Sequence, residues 1–436
     1  SINDGPLIKV TIESVTYETR EEVFARFQEE FAGTTVGELG TIDSFGPEFR
    51  IKLVDPNQSD VVIDSVSGMS GVEEVSDQRA LLKPIFDVMN AASYARVVGA
   101  NERIGIGLIG CGDRGRGAHM PGVHRYDKEL NAAFTAVCDV WKPMREEAAA
   151  IAKDWYGADP KQFVNYQELI DCPDVDAVMI ASCDHQHTRH LKAAAAAKKD
   201  AYCEKPLSMD LESLKEACDA VKENGTIVQI GTQLRSLPSM TGACELYKTG
   251  ILGKVGRIEQ MRNDPRPYWY GRVKEAREED VDWKGFLMDR PMRPFDAVQF
   301  TGWYGYRDFS DGAVPGFGSH FIDLVHYITG ATFPTSAVGM GGVFTWQDDY
   351  HFDCPDHAEV LWTYPEGFMV AYCTNFGNGS GDSFKIFGNE ASMDLVNWDK
   401  PFVYTDGAGR PGAKAEKTPV EDVPTPDHMQ NWLQCM

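Results

Sequence analysis

The sequence lacks the features that would assign it at once to a membrane or nucleic-acid-binding class. Among its 436 residues no apolar run approaches the roughly 18 to 20 that cross a bilayer, so we expect no transmembrane segment. Positive charge is also scarce. The formal net charge of −24 disfavours nucleic acid as a partner, because like charge repels the phosphate backbone. A small neutral or polar molecule is the expected ligand.

Paired cysteine motifs are absent as well. The ten cysteines are scattered without a C-x2-C pair, which predicts mostly free thiols packed as small apolar residues. One group, His351, Cys354 and His357, could suggest zinc, but a structural zinc site needs four ligands and the nearby sequence offers no fourth. We therefore predict no metal site.

What the sequence does have is enough length for two or three domains. From Arg103, short apolar runs alternate with helical stretches, which predicts an α/β fold with a doubly wound parallel sheet. Beyond Thr232 the pattern changes to hairpin-rich antiparallel strands. The predicted segments are a small α+β module (1–90), a linker (91–102), a Rossmann domain (103–232) and a sheet-based domain (233–436).

The first segment is predicted to be a ferredoxin-like module. Its first strand, helix and second strand are expected in "LIKVTIESV", "REEVFARFQEEFAG" and "EFRIKLVD". A further helix, strand and helix are expected across "VVIDSVSGMSGVEEV" and "DQRALLKPIFDVMNAAS". No catalytic constellation occurs in this segment, which favours an interaction or packing module.

This segment also resembles a known family. The stretches "SFGPEFRIKLVDPNQSDVV" and "GMSGVEEVSDQRALLKPIFDVMN" are similar to the extracellular domain of the cell-division protein FtsX, over about residues 7–90. In that family a transmembrane helix should follow, whereas here the chain continues into "AASYARVVGANERIGIGLIG". The stretch "AASYARVVGANE" resembles the tail of a twin-arginine export signal.

A glycine motif marks the start of the second predicted domain. Gly110, Gly112 and Gly115 match G-x-G-x-x-G between a strand and a helix, where the backbone can receive a pyrophosphate. Asp139 ends the second strand, at the distance where an acid binds the adenosine ribose and repels a 2′-phosphate. We therefore favour NAD, with NADP kept open by neighbouring arginines. The predicted cofactor set also includes Asp113 and Arg114.

Polar residues follow the next strands at their carboxyl ends, where ligands bind in such sheets. Asp184, His185 and His187 follow the third strand and are expected to line the cofactor cleft, whereas His190 is expected to be a surface or packing residue. Glu204 and Lys205 end the fourth strand, and Gln233 follows the fifth. Pro206 fixes the backbone after Lys205, so the lysine is predicted to point into the cleft as a proton donor or acceptor.

Three separated motifs carry a second resemblance. The glycine motif, "CDHQHTRHLKAAAAAKKDAYCEKPL" and "IVQIGTQLRS" resemble the Gfo/Idh/MocA oxidoreductase family over about residues 101–436. The resemblance implies a Rossmann domain followed by an open-faced antiparallel sheet, an NAD or NADP cofactor, and sugar, inositol or polyol substrates. It also implies pairing through that sheet. Its catalytic histidine corresponds to His320, with Asp323 three residues on, and helical spacing places these two on one face.

One position departs from the family. Many polyol-oxidising members have an aspartate four residues before the histidine, where this sequence has Gly316. Nearby aromatic and basic residues suit a sugar, although core or subunit-contact roles are equally open. This candidate substrate set is Arg293, Trp303, Tyr306 and Arg307.

The predicted function is hydride transfer between a nicotinamide and a sugar or polyol hydroxyl, with Lys205 and His320 handling the proton. One alternative is an NAD-dependent glycosidase on the same fold, and another is a non-catalytic cofactor-binding protein. The free cysteines and nicotinamide site favour the cytoplasm. The export-signal resemblance and the FtsX-like segment favour an extracytoplasmic location.

Overall fold

A computed structural model describes residues 12–30, 48–53, 103–405 and 416–436. The chain divides into two compact units between residues 95 and 96. Within the described ranges, no helix has both the length and the apolar character needed to cross a bilayer.

In the first unit, β1 (Ile12–Glu18) pairs antiparallel with β2 (Glu48–Leu53), and α1 (Arg20–Glu30) follows β1. A reciprocal cap begins α1. The Glu22 backbone N–H donates to Thr19 Oγ1 at 3.3 Å, and the Thr19 N–H donates to the Glu22 carboxylate at 2.8 Å. These elements match the first three predicted there. The further helix, strand and helix lie outside the described residues.

The second unit contains the predicted parallel sheet, which has six strands where the sequence indicates five. Its order is β5-β4-β3-β6-β7-β8 with every neighbouring pair parallel, so the strand order reverses beside β3. The strands are β3 (Ile104–Ile109), β4 (Ala132–Cys138), β5 (Lys161–Phe163), β6 (Ala177–Ile180), β7 (Asp200–Cys203) and β8 (Val228–Ile230).

Helices connect these strands and cover the sheet. A π-helical turn, Gly115–His119, runs into the first of them, and 3₁₀ turns occupy Asp184–Gln186 and Gln233–Ser236. Gly157 and Gly225 end α3 and α6 in the left-handed conformation, with φ of 72° and 62°. The helices are α2 (Met120–His124), α3 (Lys142–Tyr156), α4 (Tyr166–Ile170), α5 (His187–Ala196) and α6 (Leu211–Asn224).

A second sheet of eight strands follows, in the order β10-β11-β12-β9-β13-β14-β15-β16. Its neighbours are antiparallel except for the parallel pair β12 and β9. The strands are β9 (Val255–Asp264), β10 (Ser336–Gly342), β11 (His357–Thr363), β12 (Met369–Phe376), β13 (Ser383–Gly388), β14 (Ser392–Asp394), β15 (Phe402–Tyr404) and β16 (Lys417–Pro419).

Four helices accompany this sheet, and two of them cover one of its faces. They are α7 (Pro238–Lys248), α8 (Trp283–Leu287), α9 (Ala297–Thr301) and α10 (Ala313–Thr329). Phe321 of α10 is buried against Tyr372 and Phe384 of the sheet, and each such side chain contributes about 1.5–3 kcal/mol by leaving water. On the opposite face Met261 and Met340 stay exposed, so the sheet is open-faced as predicted.

The segment from 265 to 312, which we call the aromatic connection, joins β9 to α10. It contains α8, α9 and three 3₁₀ turns. Its side chains pack against the loops that follow the parallel strands: Phe286 and Phe300 form a buried cluster that includes Trp141 and Cys183. The 3₁₀ turns are Tyr268–Arg272, Glu278–Asp280 and Trp303–Gly305.

The last helix, α11 (His428–Cys435), returns to the parallel sheet. Its Trp432 is fully buried and contacts Tyr202 of β7 edge to face. His428 Nε2 lies 3.0 Å from the backbone oxygen of Ile230, at the end of β8. Residues from the far end of the predicted second domain therefore complete the core of the first.

Candidate functional site

A cavity of about 990 Å³ opens at the carboxyl ends of the parallel strands. Its lining combines the glycine loop, the ends of β4, β6 and β7, the aromatic connection and α10. This volume lies at the upper end of the range for small-molecule sites, which leaves room for a dinucleotide together with a small substrate. Predicted residues in its lining are Gly110, Gly112, Asp113, Arg114, Asp139, His187, Glu204, Lys205, Gln233, Trp303 and His320.

The three glycines of the loop have three different roles. Gly110 has a φ of 92°, and a Cβ there would lie 2.6 Å from the backbone of Ala181. A Cβ on Gly115 would lie 2.1 Å from the Gly110 carbonyl oxygen, so this glycine lets the helix approach the strand. Gly112 differs, because no described atom lies within 4 Å of its Cβ position. It leaves the backbone open to the cavity, as a bound pyrophosphate requires.

Asp139 is fixed at the end of β4. Its Oδ2 accepts from the Cys111 N–H at 2.6 Å, and its Oδ1 accepts from the Trp141 N–H at 2.8 Å. Burial raises the pKa of Asp139, and these backbone hydrogen bonds oppose that rise. The carboxylate thus ties the glycine loop to β4, while its place in the cavity lining lets it meet a ribose hydroxyl.

Glu204 connects the end of β7 to the glycine loop. Its Oε1 accepts from Arg114 Nε at 2.7 Å, and its Oε2 accepts from the Lys205 N–H at 3.0 Å. His119 Nε2 also lies 2.8 Å from Oε1, although this contact lacks hydrogen-bond alignment. Burial alone would raise the pKa of Glu204, but His119, Arg114 and Lys205 outweigh it and hold the pKa well below its usual range. Glu204 is therefore a buried anion that positions its neighbours.

Lys205 reaches across the cavity mouth to α10. Its Nζ donates to the backbone oxygen of Gly316 at 2.6 Å, which fixes the ammonium group in the cavity lining. Burial lowers the pKa of Lys205, and the charges of Glu204 and Asp184 partly offset this effect. Lys205 therefore lines the cavity, and its part as a proton donor or acceptor stays a prediction.

His320 of α10 lies on the same cavity. Burial, followed by the charge of Lys205, lowers the pKa of His320 to about 3, so the ring is neutral near pH 7. Its Nδ1 is buried and has no hydrogen-bond partner in the described part of the chain. A neutral imidazole with a free ring nitrogen, within electrostatic reach of a lysine, can exchange a proton with a bound hydroxyl group.

The residues after β6 divide between the cavity and the core. Asp184 is buried outside the cavity lining, where its Oδ2 accepts from Ser310 Oγ at 2.7 Å. His185 is also buried outside the lining, with Nε2 2.8 Å from the Phe286 oxygen. His187 lines the cavity, and its Nδ1 lies 2.7 Å from the Pro206 oxygen. His190 lines it as well and is buried against Tyr166.

Two further predicted cofactor residues line the cavity. Gln233 has a buried side-chain oxygen without a hydrogen-bond partner among the described residues. Asp113 Oδ2 accepts from Arg272 Nη1 at 2.6 Å, and Lys274 lies 3.4 Å from Oδ1. Burial opposes ionisation of Asp113, but Lys274 and Arg272 lower its pKa overall. These two basic residues bring the aromatic connection against the glycine loop.

Asp323 is separated from His320 despite their helical spacing. Arg235 holds the Asp323 carboxylate through both oxygens, with Nε at 3.0 and 3.1 Å, and Asp323 is absent from the cavity lining. The side chain of Asp323 is 12% exposed. The structure therefore pairs Asp323 of α10 with Arg235 and does not bring it to the proposed reaction site.

The predicted substrate residues are only partly brought together. Trp303 lines the cavity and stacks on Tyr304 with ring centroids 3.7 Å apart. Arg293, Tyr306 and Arg307 lie outside the lining. In place of a ligand, Arg293 donates to Asp308 at 2.5 Å, and the Tyr306 hydroxyl donates to the Tyr350 oxygen at 2.7 Å. The backbone N–H of Arg307 donates to Asp353 at 2.7 Å.

The lining also includes residues that the sequence did not single out. Tyr268, Tyr304 and Phe317 form an aromatic group beside Lys205 and His320. They come from three separate segments, so no local spacing connects them. The only indication of Tyr268 and Tyr304 in the sequence was the aromatic composition of the stretches "PYWYGR" and "GWYGYRD".

The fold and the cavity define a dinucleotide-binding protein with a Rossmann domain and an open-faced sheet domain. Residues 104–232 match the family model described as "Oxidoreductase family, NAD-binding Rossmann fold". Residues 241–394 match "GFO/IDH/MocA C-terminal domain", and residues 9–89 match "FtsX extracellular domain". Residues 104–232 and 241–394 therefore match the two domains of the Gfo/Idh/MocA family, after a segment that matches the FtsX extracellular domain, and the predicted cofactor class is confirmed.

Relatives of known name agree with this assignment. The chain is 30% identical to myo-inositol 2-dehydrogenase of Thermotoga maritima over 48% of this chain and 58% of the relative. It is 29% identical to levoglucosan dehydrogenase of Pseudarthrobacter phenanthrenivorans over 54% of each. The chain thus spans about half the length of the curated relatives it matches.

Solved structures show the same fold. Levoglucosan dehydrogenase in complex with NADH and levoglucosan aligns with a TM-score of 0.56 at 19% identity, covering 76% of this chain and 83% of the other. An oxidoreductase from Thermotoga maritima aligns with a TM-score of 0.55 at 20% identity, over 76% and 86%.

Proposed function

We propose that this protein is a nicotinamide-dependent oxidoreductase that interconverts a hydroxyl and a carbonyl group of a sugar, inositol or related polyol. The observation that carries the proposal is the shared cavity. One space is lined by the open backbone at Gly112, by Asp139, and by the proton-handling pair Lys205 and His320. A dinucleotide bound on the glycine loop would extend from Asp139 towards these two side chains.

Each side chain has a distinct part in the proposed chemistry. Bound nicotinamide supplies the acceptor or donor of hydride. Lys205, held by the Gly316 oxygen, donates a hydrogen bond to the reacting substrate oxygen and stabilises negative charge on it. His320, neutral because burial lowers its pKa to about 3, accepts the hydroxyl proton during oxidation and returns one during reduction.

The substrate class rests on the relatives and on the lining. Two relatives are named as dehydrogenases of myo-inositol and levoglucosan. The first compound is a ring polyol and the second is an anhydrosugar, so both carry several ring hydroxyl groups. The stacked pair of Trp303 and Tyr304 gives the cavity a flat aromatic wall, which suits the C–H face of a sugar ring.

NAD is the proposed form of the cofactor. Asp139 is fixed by two backbone N–H groups and lines the cavity, so a 2′-phosphate would meet a carboxylate that cannot turn away. We expect affinity for NADP to be at least about tenfold weaker, which corresponds to about 1.4 kcal/mol.

The test is a turnover screen with purified protein. NAD or NADP is mixed with myo-inositol, scyllo-inositol, levoglucosan and common aldoses, and absorbance of reduced nicotinamide is followed. Formation of reduced cofactor with one of these compounds supports the proposal. Cleavage of an aryl glycoside without net reduction would contradict it in favour of a glycosidase, and cofactor binding without any turnover would favour a binding protein.

We also propose that two copies pair through the open face of the eight-stranded sheet. Val338, Met340 and Met261 are 66%, 80% and 44% exposed on this face. Covering them by a second copy would remove apolar surface from water. Light scattering should give a dimer or larger assembly, and a monomer at micromolar concentration would contradict this arrangement.

A further inference from the structure

Tyr268 is held rigidly at the cavity by neighbouring aromatic rings. It begins the 3₁₀ turn that follows β9, and its ring makes edge contacts with Tyr304, Phe317 and Phe376 at centroid distances of 5.3, 5.0 and 6.0 Å. Contacts on several sides leave the ring little freedom to rotate away. The position of its hydroxyl is therefore determined by the fold.

That hydroxyl occupies the space beside Gly316. A Cβ on Gly316 would lie 2.9 Å from Tyr268 Oη, with no other described atom within 4 Å. The Tyr268 side chain lines the cavity, and its hydroxyl has no hydrogen-bond partner among the residues that the structure describes. A phenol that faces the cavity without a protein partner can donate its hydrogen bond to a bound ligand.

The same glycine also holds Lys205. Its backbone oxygen accepts from Lys205 Nζ at 2.6 Å, so the ammonium and phenol groups approach one residue of α10 from two different parts of the chain. Both side chains line the cavity that also contains His320. The arrangement presents two hydrogen-bond donors to one small region of the site.

We propose that Tyr268 is a further catalytic residue, whose phenolic O–H donates to the reacting oxygen of the substrate beside Lys205. This role rests on the oxidoreductase function proposed above. In oxidation, the substrate C–H bond would break with its hydrogen and electron pair passing as hydride to bound nicotinamide, the O–H bond would break with its proton passing to His320, and the C=O bond would form. Tyr268 keeps its own proton throughout.

The environment of Tyr268 agrees with donation. Burial raises the pKa of Tyr268 well above its usual value, and the nearby Tyr304 and Asp184 act in the same direction. The phenol therefore stays neutral near pH 7 and cannot serve as the base. A neutral donor stabilises the partial negative charge that develops on the substrate oxygen during hydride transfer.

The first test compares two tyrosines on the same turn. Tyr268→Phe should lower kcat/KM by about 100-fold, because a donor aimed at a developing oxyanion contributes this much. Tyr270→Phe is the matched control, since its hydroxyl donates to Asp348 at 2.6 Å and Tyr270 lies outside the cavity lining. It should stay within about threefold of wild type. NADH affinity, measured by fluorescence titration, should be unchanged in both variants.

Isotope effects separate a chemical role from a structural one. With the polyol that turns over, deuterated at the reacting carbon, Tyr268→Phe should show a larger primary isotope effect on kcat than wild type, because hydride transfer becomes slower than product release. Equal kcat/KM and equal isotope effects in Tyr268→Phe and wild type would overturn the proposal for Tyr268. Failure of wild type itself to turn over any compound would instead overturn the proposed function.

The placement of the hydroxyl can be tested without turnover. Gly316→Ala should lower the thermal midpoint of wild type, because its Cβ would meet Tyr268 Oη at 2.9 Å. In the Tyr268→Phe background the same substitution should raise the midpoint, since alanine favours a helix over glycine by up to about 1 kcal/mol. The same decrease in both backgrounds would contradict the inferred position of the hydroxyl.

Discussion

The two walls of the cavity are built in different ways. The wall from the parallel sheet uses backbone and charge: glycines that open the loop, Asp139 bonded to two N–H groups, and Glu204 paired with Arg114. The wall from the aromatic connection and α10 uses shape, with aromatic rings stacked or packed edge to face. The first wall suits a constant ligand such as a dinucleotide, and the second suits a substrate that differs between relatives.

Lys205 is the point where the two walls meet, and its removal should have the largest effect. Lys205→Met should reduce kcat by about 1000-fold or more, because both the donor to the reacting oxygen and the hydrogen bond to Gly316 are lost. NADH affinity should fall by less than about tenfold, since the glycine loop and Asp139 remain. Steady-state kinetics and fluorescence titration measure the two effects separately.

Lys192→Met provides the matched control for this experiment. Lys192 lies on α5 of the same domain, and its exposed Nζ pairs with Glu216 at 2.8 Å. Its removal should change kcat by less than about twofold. Near-normal turnover by Lys205→Met would remove the lysine from the mechanism.

The difference between the walls also explains what the sequence could predict. Gly110, Gly112 and Gly115 lie within six residues, between a strand and a helix. This local pattern was sufficient to predict a dinucleotide-binding loop. Lys205 was predictable because Pro206 and the strand before it determine where it points. The parallel sheet could be predicted as well, because its strands and helices alternate over short distances along the sequence.

The wall from the aromatic connection and α10 is different, because its residues meet only through tertiary packing. Tyr268, Trp303 and Phe317 belong to different turns and helices, so spacing in the chain says nothing about their contacts. Arg293 and Tyr306 have the right chemistry for a sugar, yet Asp308 and the Tyr350 backbone bind them outside the cavity lining. Composition predicted an aromatic site here, and the fold selected which rings contribute.

Two glycines of the glycine loop should respond differently to the same substitution. Gly112→Ala places a methyl group where no described atom lies within 4 Å, so folding stability should be unchanged while NADH affinity falls by about 10- to 100-fold. Gly115→Ala places it 2.1 Å from the Gly110 oxygen, so the thermal midpoint should fall by several degrees. Thermal melts and NADH titration of both variants distinguish these outcomes.

Similar losses of stability in the two glycine variants would contradict this division of roles. Gly117→Ala serves as a control for the pair, because its Cβ position is also open, while Gly117 is absent from the cavity lining. It should leave NADH affinity unchanged and should not lower the midpoint, since alanine favours a helix over glycine.

Asp184, behind the cavity, should make a pH-dependent contribution to stability. Burial raises its pKa from 3.8 to about 7, while the hydrogen bond from Ser310 opposes that rise. Between about pH 4 and 7 the folded state therefore holds a proton that the unfolded state releases, so the contribution of Asp184 to stability falls as pH rises. Asp184→Asn removes this titration and can still accept from Ser310.

The measurement is the free energy of unfolding in urea at pH 5 and pH 7 for wild type and Asp184→Asn. The free energy of unfolding of Asp184→Asn minus that of wild type should increase from pH 5 to pH 7. Burial lowers the pKa of His185 and His187, so these histidines also make stability depend on pH, but that contribution is common to both proteins and cancels in the difference. A difference that does not change with pH would contradict the raised pKa of Asp184.

The smallest effect is expected at Asp323, which shares α10 with His320 but not the cavity. Asp323→Asn should change kcat by less than about threefold and stability by about 0.5–1 kcal/mol, because a partly exposed ion pair with Arg235 contributes little in water. His320→Gln, three residues earlier, should reduce kcat by about 100-fold or more. Both variants keep a polar side chain of similar size on the helix, so kinetics at one pH separates the cavity-facing residue from the ion-paired one. A loss of kcat at Asp323 comparable to that at His320 would contradict this separation. It would mean that the Asp323 carboxylate supports the His320 imidazole in the reacting enzyme, so that the ion pair with Arg235 belongs to the site.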